Sequence, residues 1–293
     1  MQEMKEVAWM DAEYPAALRE IGNAPRHLFY IGDIRICATP CIAIVGSRKA
    51  TAYGKWAASE LAKYAASAGI TVVSGMAWGI DSAAHRSALE HGGNTIAVLG
   101  GGADVCYPAR NRALYDAIKT QGLILSEQPP GQAPLAGMFP ARNRIISGLC
   151  QCVVVVEAGI KSGSLITADL ALKQNREVYA VPGNINCISS LGTNKLIQDG
   201  AAPVVVPSDI LRIMNVDADT RMKIIERSAC RKNEILGQEE LRLLQLLSDG
   251  REYTLNELCE KMNLSVERIS GLVSVLELKG LLLSDLGKIY IAN

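Results

Sequence analysis

The chain has 293 residues, enough for about two domains, which excludes a small disulfide scaffold. Hydrophobic residues make up 49% and charged residues 20%, so a sizeable core can form and a disordered chain is excluded. Thirty Lys and Arg balance thirty Asp and Glu, so any polyanion site must be local rather than a global basic field.

Aromatic residues are 5% of the chain, with two Phe, which limits how many bases could be stacked in succession. No apolar run approaches the ~20 residues of a bilayer span. The N-terminus MQEMKEVAWMDAEYP carries acids where a secretory signal has its apolar core, so a cytoplasmic chain with no membrane partner is expected. The eight cysteines are scattered without a CxxC pair, as small buried hydrophobes in a reducing compartment are. With three histidines a zinc site is not expected, and no cofactor is.

In chain order, residues 1–38 read as a short helical or extended segment. Strands follow at Cys41–Val45, Thr71–Ser74, Thr95–Leu99, Leu123–Ser126, Cys152–Glu157, Val178–Val181 and Pro203–Val206, each nearly continuously apolar, as strands buried on both faces must be. Helices at Tyr53–Ala68, Ile80–His91, Asn111–Thr120, Arg144–Leu149, Ser164–Gln174 and Lys195–Asp199 alternate with them. This βαβ alternation predicts an α/β domain over 39–212, an extended Rossmann-like, doubly wound, mainly parallel sheet. Residues 213–235 are polar and read as a linker.

Over 236–293 the pattern predicts helices at Glu239–Leu247, Leu255–Met262 and Val266–Lys279. Thr254 with Glu257 forms a capping box for the second, and Ser265 opens the third. Short β runs at Leu281–Leu283 and Lys288–Ile291 flank a turn at Ser284–Gly287, giving a small C-terminal winged-helix domain.

Ligands of open parallel sheets bind beyond the carboxyl ends of the strands. Gly46-Ser47-Arg48 ends the first strand of this sheet with a close backbone approach, a hydroxyl and a forked cation. Ser74–Asp81 ends the next and leads to Asp81 and His85 at i, i+4, readable as an acid/base pair or, more simply, as a cap and a buried structural His. Glu157–Ser164 offers Lys161 and a Ser162-Gly163-Ser164 helix start, without a Walker A sequence. Gly100-Gly101-Gly102 lacks the GxGxxG spacing of a dinucleotide site. Phe139–Arg144 places Arg142, Asn143 and Arg144 in a row.

GSR at 46–48, SGMAWGIDSAAH at 74–85, YP at 107–108, SEQPPG at 126–131, FPARNRIISGL at 139–149, VVEAGIKSGSLITADLAL at 155–172, VYAVPGNI at 178–185 and GTNKLIQDGA at 192–201 together closely resemble the DprA/Smf family of DNA-processing proteins. The resemblance covers about 160 residues in order and spacing. It implies binding of single-stranded DNA without sequence preference, protection of incoming DNA in natural transformation, loading of the RecA recombinase, and a homodimer through the Rossmann domain. It maps the phosphate pocket onto Ser47, Arg48, Asn143 and Lys161, with Gly46, Arg142, Arg144, Lys195 and the 162–164 loop beside them. Phe139 and Trp78 are the nearest aromatics. The family's helical N-terminal domain is expected to be reduced or missing.

A competing reading is an enzyme, because the loop after Val156 loosely resembles a segment of the lysine-decarboxylase-like nucleotide phosphoribohydrolases. Those use a glutamate in the following helix, where this chain offers only Asp169, and Glu157 precedes the loop. Binding without catalysis is therefore the favoured expectation. Residues 236–293 carry six basic and nine acidic side chains, a net −3 that opposes duplex binding.

Overall fold

The computed structural model describes residues 3–217, 220, 224, 237–247, 253–278, 282–285 and 287–291. They fall into two units, Met1–Arg221 and Met222–Asn293.

The first unit is built on one nine-stranded sheet. Its centre is five parallel strands, β3 (Cys41–Val45), β4 (Thr71–Ser74), β5 (Thr95–Leu99), β6 (Leu123–Ser126) and β7 (Cys152–Val155), in which every residue is buried. Strands covered by helices on both faces have no solvent side, which is why they are legible as apolar runs. Two further parallel strands, β8 (Glu177–Ala180) and the two-residue β9 (Ala202–Pro203), extend one side.

On the other side stand β1 (Lys5–Ala8) and β2 (His27–Gly32), with β2 antiparallel to both β1 and β6. The short segment expected at 1–38 thus adds two strands to the main sheet. A single helical turn, α1 (Ala16–Arg19), lies between them, and Tyr14 is buried with its hydroxyl donating to Pro25 O at 2.7 Å.

The helices are α2 (Ala52–Ser67), α3 (Ile80–Glu90), α4 (Arg112–Gln121), α5 (Met138–Leu149), α6 (Gly163–Lys173), α7 (Leu191–Gln198) and α8 (Asp209–Ile213). Helix α5 begins six residues before the expected Arg144, because Pro140 falls in the first turn, where its missing N–H breaks no helical bond. β7 ends two residues before the expected Glu157, whose side chain turns to cap α2. The sheet order is β1-β2-β6-β5-β4-β3-β7-β8-β9. The chain winds outward from β3 through β6, then returns to β7 on the opposite side of β3. The switch point of the sheet therefore lies between β3 and β7, where their carboxyl ends leave a crevice.

In the second unit, α9 (Gln238–Leu247), β10 (Tyr253–Thr254), α10 (Leu255–Met262), α11 (Val266–Leu278), β11 (Leu282–Asp285) and β12 (Lys288–Ile291) follow one another. The strands form an antiparallel sheet in the order β10-β12-β11. Thr254 and Glu257 make the expected capping box. Leu243, Leu258, Ile269, Leu276, Leu282 and Ile289 share a separate core. Most of the linker expected at 213–235 lies outside the described residues.

Candidate functional site

The loop that leaves β3 is shaped by steric exclusion. A Cβ on Gly46 would lie 2.6 Å from the Ile80 side chain and 2.9 Å from Glu157 O, so only glycine lets the chain pass. Ser47 N donates to Glu157 O at 2.7 Å, and Ser47 O accepts from Ile80 N at 3.2 Å. Gly79 makes the second contact possible: it has φ +92°, and a Cβ there would meet Ser47 O at 2.3 Å. The result is a short turn that exposes Arg48 and Lys49.

Opposite, the chain after β7 enters α6. Ser162 is its N-cap, its Oγ accepting from Ser164 N at 3.4 Å and lying 2.8 Å from Ser164 Oγ. The α6 amino end directs unpaired N–H groups and a partial positive charge outward. The amino end of α2 is closed to anions by the protein itself. The buried Glu157 carboxylate accepts from Thr51 N at 2.9 Å and from the Thr51 hydroxyl.

These loops and the inner face of α5 enclose a cavity of about 710 Å³. Gly46, Ser47, Arg48, Phe139, Arg142, Asn143, Ser162, Gly163 and Ser164 all line it, as do Lys49 and Tyr107. The Arg48 guanidinium is 5.4 Å from the Phe139 ring centroid, and Tyr107 is 5.5 Å from Phe139, ring to ring. Asn143 donates to Gly163 O at 3.4 Å, tying α5 to the α6 start. Asp81 is the one carboxylate among the lining residues. Arg48, Lys49 and Lys161 have no carboxylate within ion-pair distance among the described residues, so their charge is free to meet a ligand.

Arg142 is buried and forms part of the cavity floor. It donates to Gly75 O at 2.8 Å and to Val98 O. Burial lowers its pKa to about 10, with Asp81 opposing that shift, so it remains charged at neutral pH. Asp81, which burial pushes up, accepts from Gly75 N at 3.1 Å and Ala77 N at 3.3 Å. His85 bonds instead to Thr95 Oγ1 at 2.7 Å. His85 is thus a buried structural residue, as in the simpler of the two sequence readings, whereas Asp81, expected there as a helix cap, instead closes the turn before α3.

Three expected residues lie outside the cavity lining. Lys161 is exposed on the loop just before Ser162. Arg144, one residue past Asn143 and so about 100° around α5, turns away from the cavity and pairs with Glu127, just past β6, at 2.6 Å and donates to Asn23 O, in the loop before β2, at 2.9 Å. Lys195 pairs with Asp199 at 2.7 Å along α7. Lys49 and Tyr107 were not singled out from sequence as ligand-facing residues, although Lys49 directly follows the GSR turn.

A doubly wound sheet with a glycine-shaped, cation-bearing crevice at its switch point defines an α/β protein of the class whose ligands bind beyond the carboxyl ends of the strands. The sequence model of DNA recombination-mediator protein A matches residues 5–215, and the chain belongs to that family. DNA processing protein DprA of Streptococcus pneumoniae is 46% identical over 202 residues, 69% of this chain and 71% of the relative. The putative DprA of Mycobacterium tuberculosis (H37Rv) is 36% identical over 268 residues, 91% of this chain and 68% of the relative. The match to protein Smf of Escherichia coli K12, 43% identical, covers 68% of this chain and 53% of the relative, so the chain spans about half the length of that protein.

Among solved structures, pneumococcal DprA superposes with a TM-score of 0.69 at 44% identity, covering 72% of this chain and 74% of the other. The Helicobacter pylori protein, solved for its single-stranded DNA binding mode, superposes at 0.65 with 32% identity, covering 73% and 97%.

Proposed function

We propose that the first unit binds single-stranded DNA by its sugar-phosphate backbone in the crevice between β3 and β7, and that the protein serves recombination as a binding module rather than an enzyme. The observation that carries this reading is the pairing of two cations without a carboxylate partner among the described residues, Arg48 and Lys49, with the amino end of α6 around one cavity. Charge-assisted bonds from such groups hold phosphate without reading bases. The open crevice takes a flexible strand more readily than a stiff duplex. Ser47, Asn143, Ser162, Gly163 and Ser164 supply neutral donors, Lys161 stands at the rim, and Phe139 offers a ring to one base. The ssDNA-binding H. pylori relative supports the ligand class.

The carboxylates available to a phosphoribohydrolase are engaged elsewhere. Glu157 caps α2 through Thr51, and Asp169 pairs with Lys173 at 2.6 Å on the exposed side of α6. Incubation with nucleoside monophosphates, beside a gel shift on oligo-dT, separates the two functions: a shift without hydrolysis is expected, and hydrolysis without a shift would overturn the reading.

With this role go a cytoplasmic location, delivery of the strand to RecA, and a homodimer through the first unit. No helix among the described residues is long and apolar enough to cross a membrane. At the sheet edge beside β9, Val205 is 74% exposed, an apolar surface that a second copy would cover. The second unit is read as a winged helix, on the order of its helices and strands.

A further inference from the structure

We infer that Trp78 and Arg110 form a second subsite of the crevice, a stacking layer for a nucleobase adjoining the phosphates held at Arg48. The inference rests on the reading of the crevice as a single-strand site. The Arg110 guanidinium carbon lies 4.1 Å from the Trp78 ring centroid, and Arg110 has no carboxylate partner among the described residues. Both side chains are exposed, Trp78 to 37%. Aromatic rings and guanidinium groups are the side chains on which unpaired bases stack, and here one of each stands side by side.

The layer is held in place from beneath. Buried Asn111, the residue after Arg110, donates through Nδ2 to Met76 O at 2.8 Å. Asp81 fixes the other side of the same loop through Gly75 N and Ala77 N. The two loops that supply the stack are thereby joined by one buried bond, and the Trp78 loop is braced within itself by Asp81, supports that a pair of chance surface neighbours lacks.

The layer is also continuous with the crevice. Trp78 and Arg110 line a small cleft of about 80 Å³ whose other walls include Arg48, Tyr107 and Phe139, all three of which also line the main cavity. A strand whose phosphate sits at Arg48 has the Tyr107–Phe139 pair beside it and the Trp78–Arg110 pair next along the wall. Neither surface offers hydrogen bonds to base edges in a fixed pattern, so the subsite favours any base over none.

The test is an anisotropy titration of the full chain with a labelled dT oligomer and with a strand of equal length made of abasic sites. Trp78→Ala and Arg110→Lys, which keeps the charge but loses the plane, are each expected to weaken dT binding on the order of tenfold while leaving the abasic strand within about twofold of wild type, with Trp78→Phe restoring most of the loss. Arg48→Ala should weaken both strands. Equal losses on the two strands would make Trp78 a support of its loop and overturn the inference. Wild-type affinity in both variants overturns it while the crevice reading stands on Arg48→Ala. If the wild type binds neither strand, the crevice reading fails and the subsite with it.

Discussion

Glu157, two residues past the end of β7, and Thr51, at the start of α2, are 106 residues apart in sequence, and the carboxylate of one accepts the backbone N–H of the other at 2.9 Å. An internal anion thus occupies the helix end nearest the Ser47 turn, leaving the α6 amino end to an external one. Thr51 is itself the α2 N-cap, accepting from Gly54 N at 3.0 Å. Thr51→Ala should cost about 1 kcal/mol, as lost caps do, and Glu157→Leu, which removes the charged acceptor of the Thr51 N–H and hydroxyl, about 1.5 kcal/mol. Gly54→Ala should also destabilise, since its Cβ would lie 2.3 Å from the same carboxylate. Urea denaturation read by circular dichroism measures all three.

Arg48 and Arg142 both line the cavity, yet their replacement should have different consequences. Arg48→Ala removes an exposed charge-assisted contact worth about 1.5–3 kcal/mol, so single-strand affinity drops about ten- to hundredfold with an unchanged melting curve. Lys161→Ala should act in the same way if the strand passes the rim. Arg142→Ala leaves Gly75 O and Val98 O without their donor and Asp81 without its neighbouring cation, costing stability by about 3 kcal/mol or more. Paired melting and binding curves separate the two classes of residue.

The acid limb of stability should carry the signature of His85. Burial, and then the charge of Arg142, push its pKa down from 6.5 to about 3. Thr95 Oγ1 gives its proton to Val72 O at 2.8 Å, so it accepts from His85 Nδ1–H, and Nε2 has no hydrogen-bond partner among the described residues. Below the unfolded value the unfolded chain takes up a proton that the folded chain refuses. This contribution is therefore complete above pH 6.5 and is lost as pH falls toward 3, at up to about 1.4 kcal/mol per unit. Asp81, raised by burial, titrates in the opposite sense. His85→Leu should flatten the limb between pH 6 and 4; an unchanged slope would assign it to other groups.

The second unit should contribute little to strand binding and nothing to duplex binding. On α11 the exposed positions include Val266, Glu267, Ser274 and Val275, and Arg268 is held by Glu239 at 2.6 Å. A major-groove helix needs free donors and positive charge there. A chain ending near residue 221 should bind oligo-dT within a few-fold of the full chain, and residues 222–293 alone should not shift duplex. A duplex shift would make the protein a two-site DNA binder.

The central strands were legible because burial on both faces leaves apolar runs such as Ile42–Val45. β1 and β2 were not, since KEVA and HLFYIG mix exposed and buried positions at an antiparallel edge. The GSR turn was legible because close backbone approach demands glycine at 46, and the 162–164 loop because Ser162 has the side chain of a helix N-cap. Arg142 and Arg144 differ only in helical phase, which stays hidden until Pro140 is known to lie inside α5. Lys49 and Arg110 look like ordinary solvated charges, and only the folded loops bring Arg110 over Trp78.

The most direct test of the strand-binding crevice is a titration of labelled oligo-dT and of a blunt duplex, each with wild type and Arg48→Ala, across a salt series. About three cations, Arg48, Lys49 and Lys161, meeting phosphates should give log K against log salt a slope near −2 for the single strand. The expected result is preference for the single strand, that slope, and a shallower one by roughly 0.7 in Arg48→Ala. Equal affinity for strand and duplex, or a slope that Arg48→Ala leaves unchanged, would place the DNA contact elsewhere on the molecule and contradict the account.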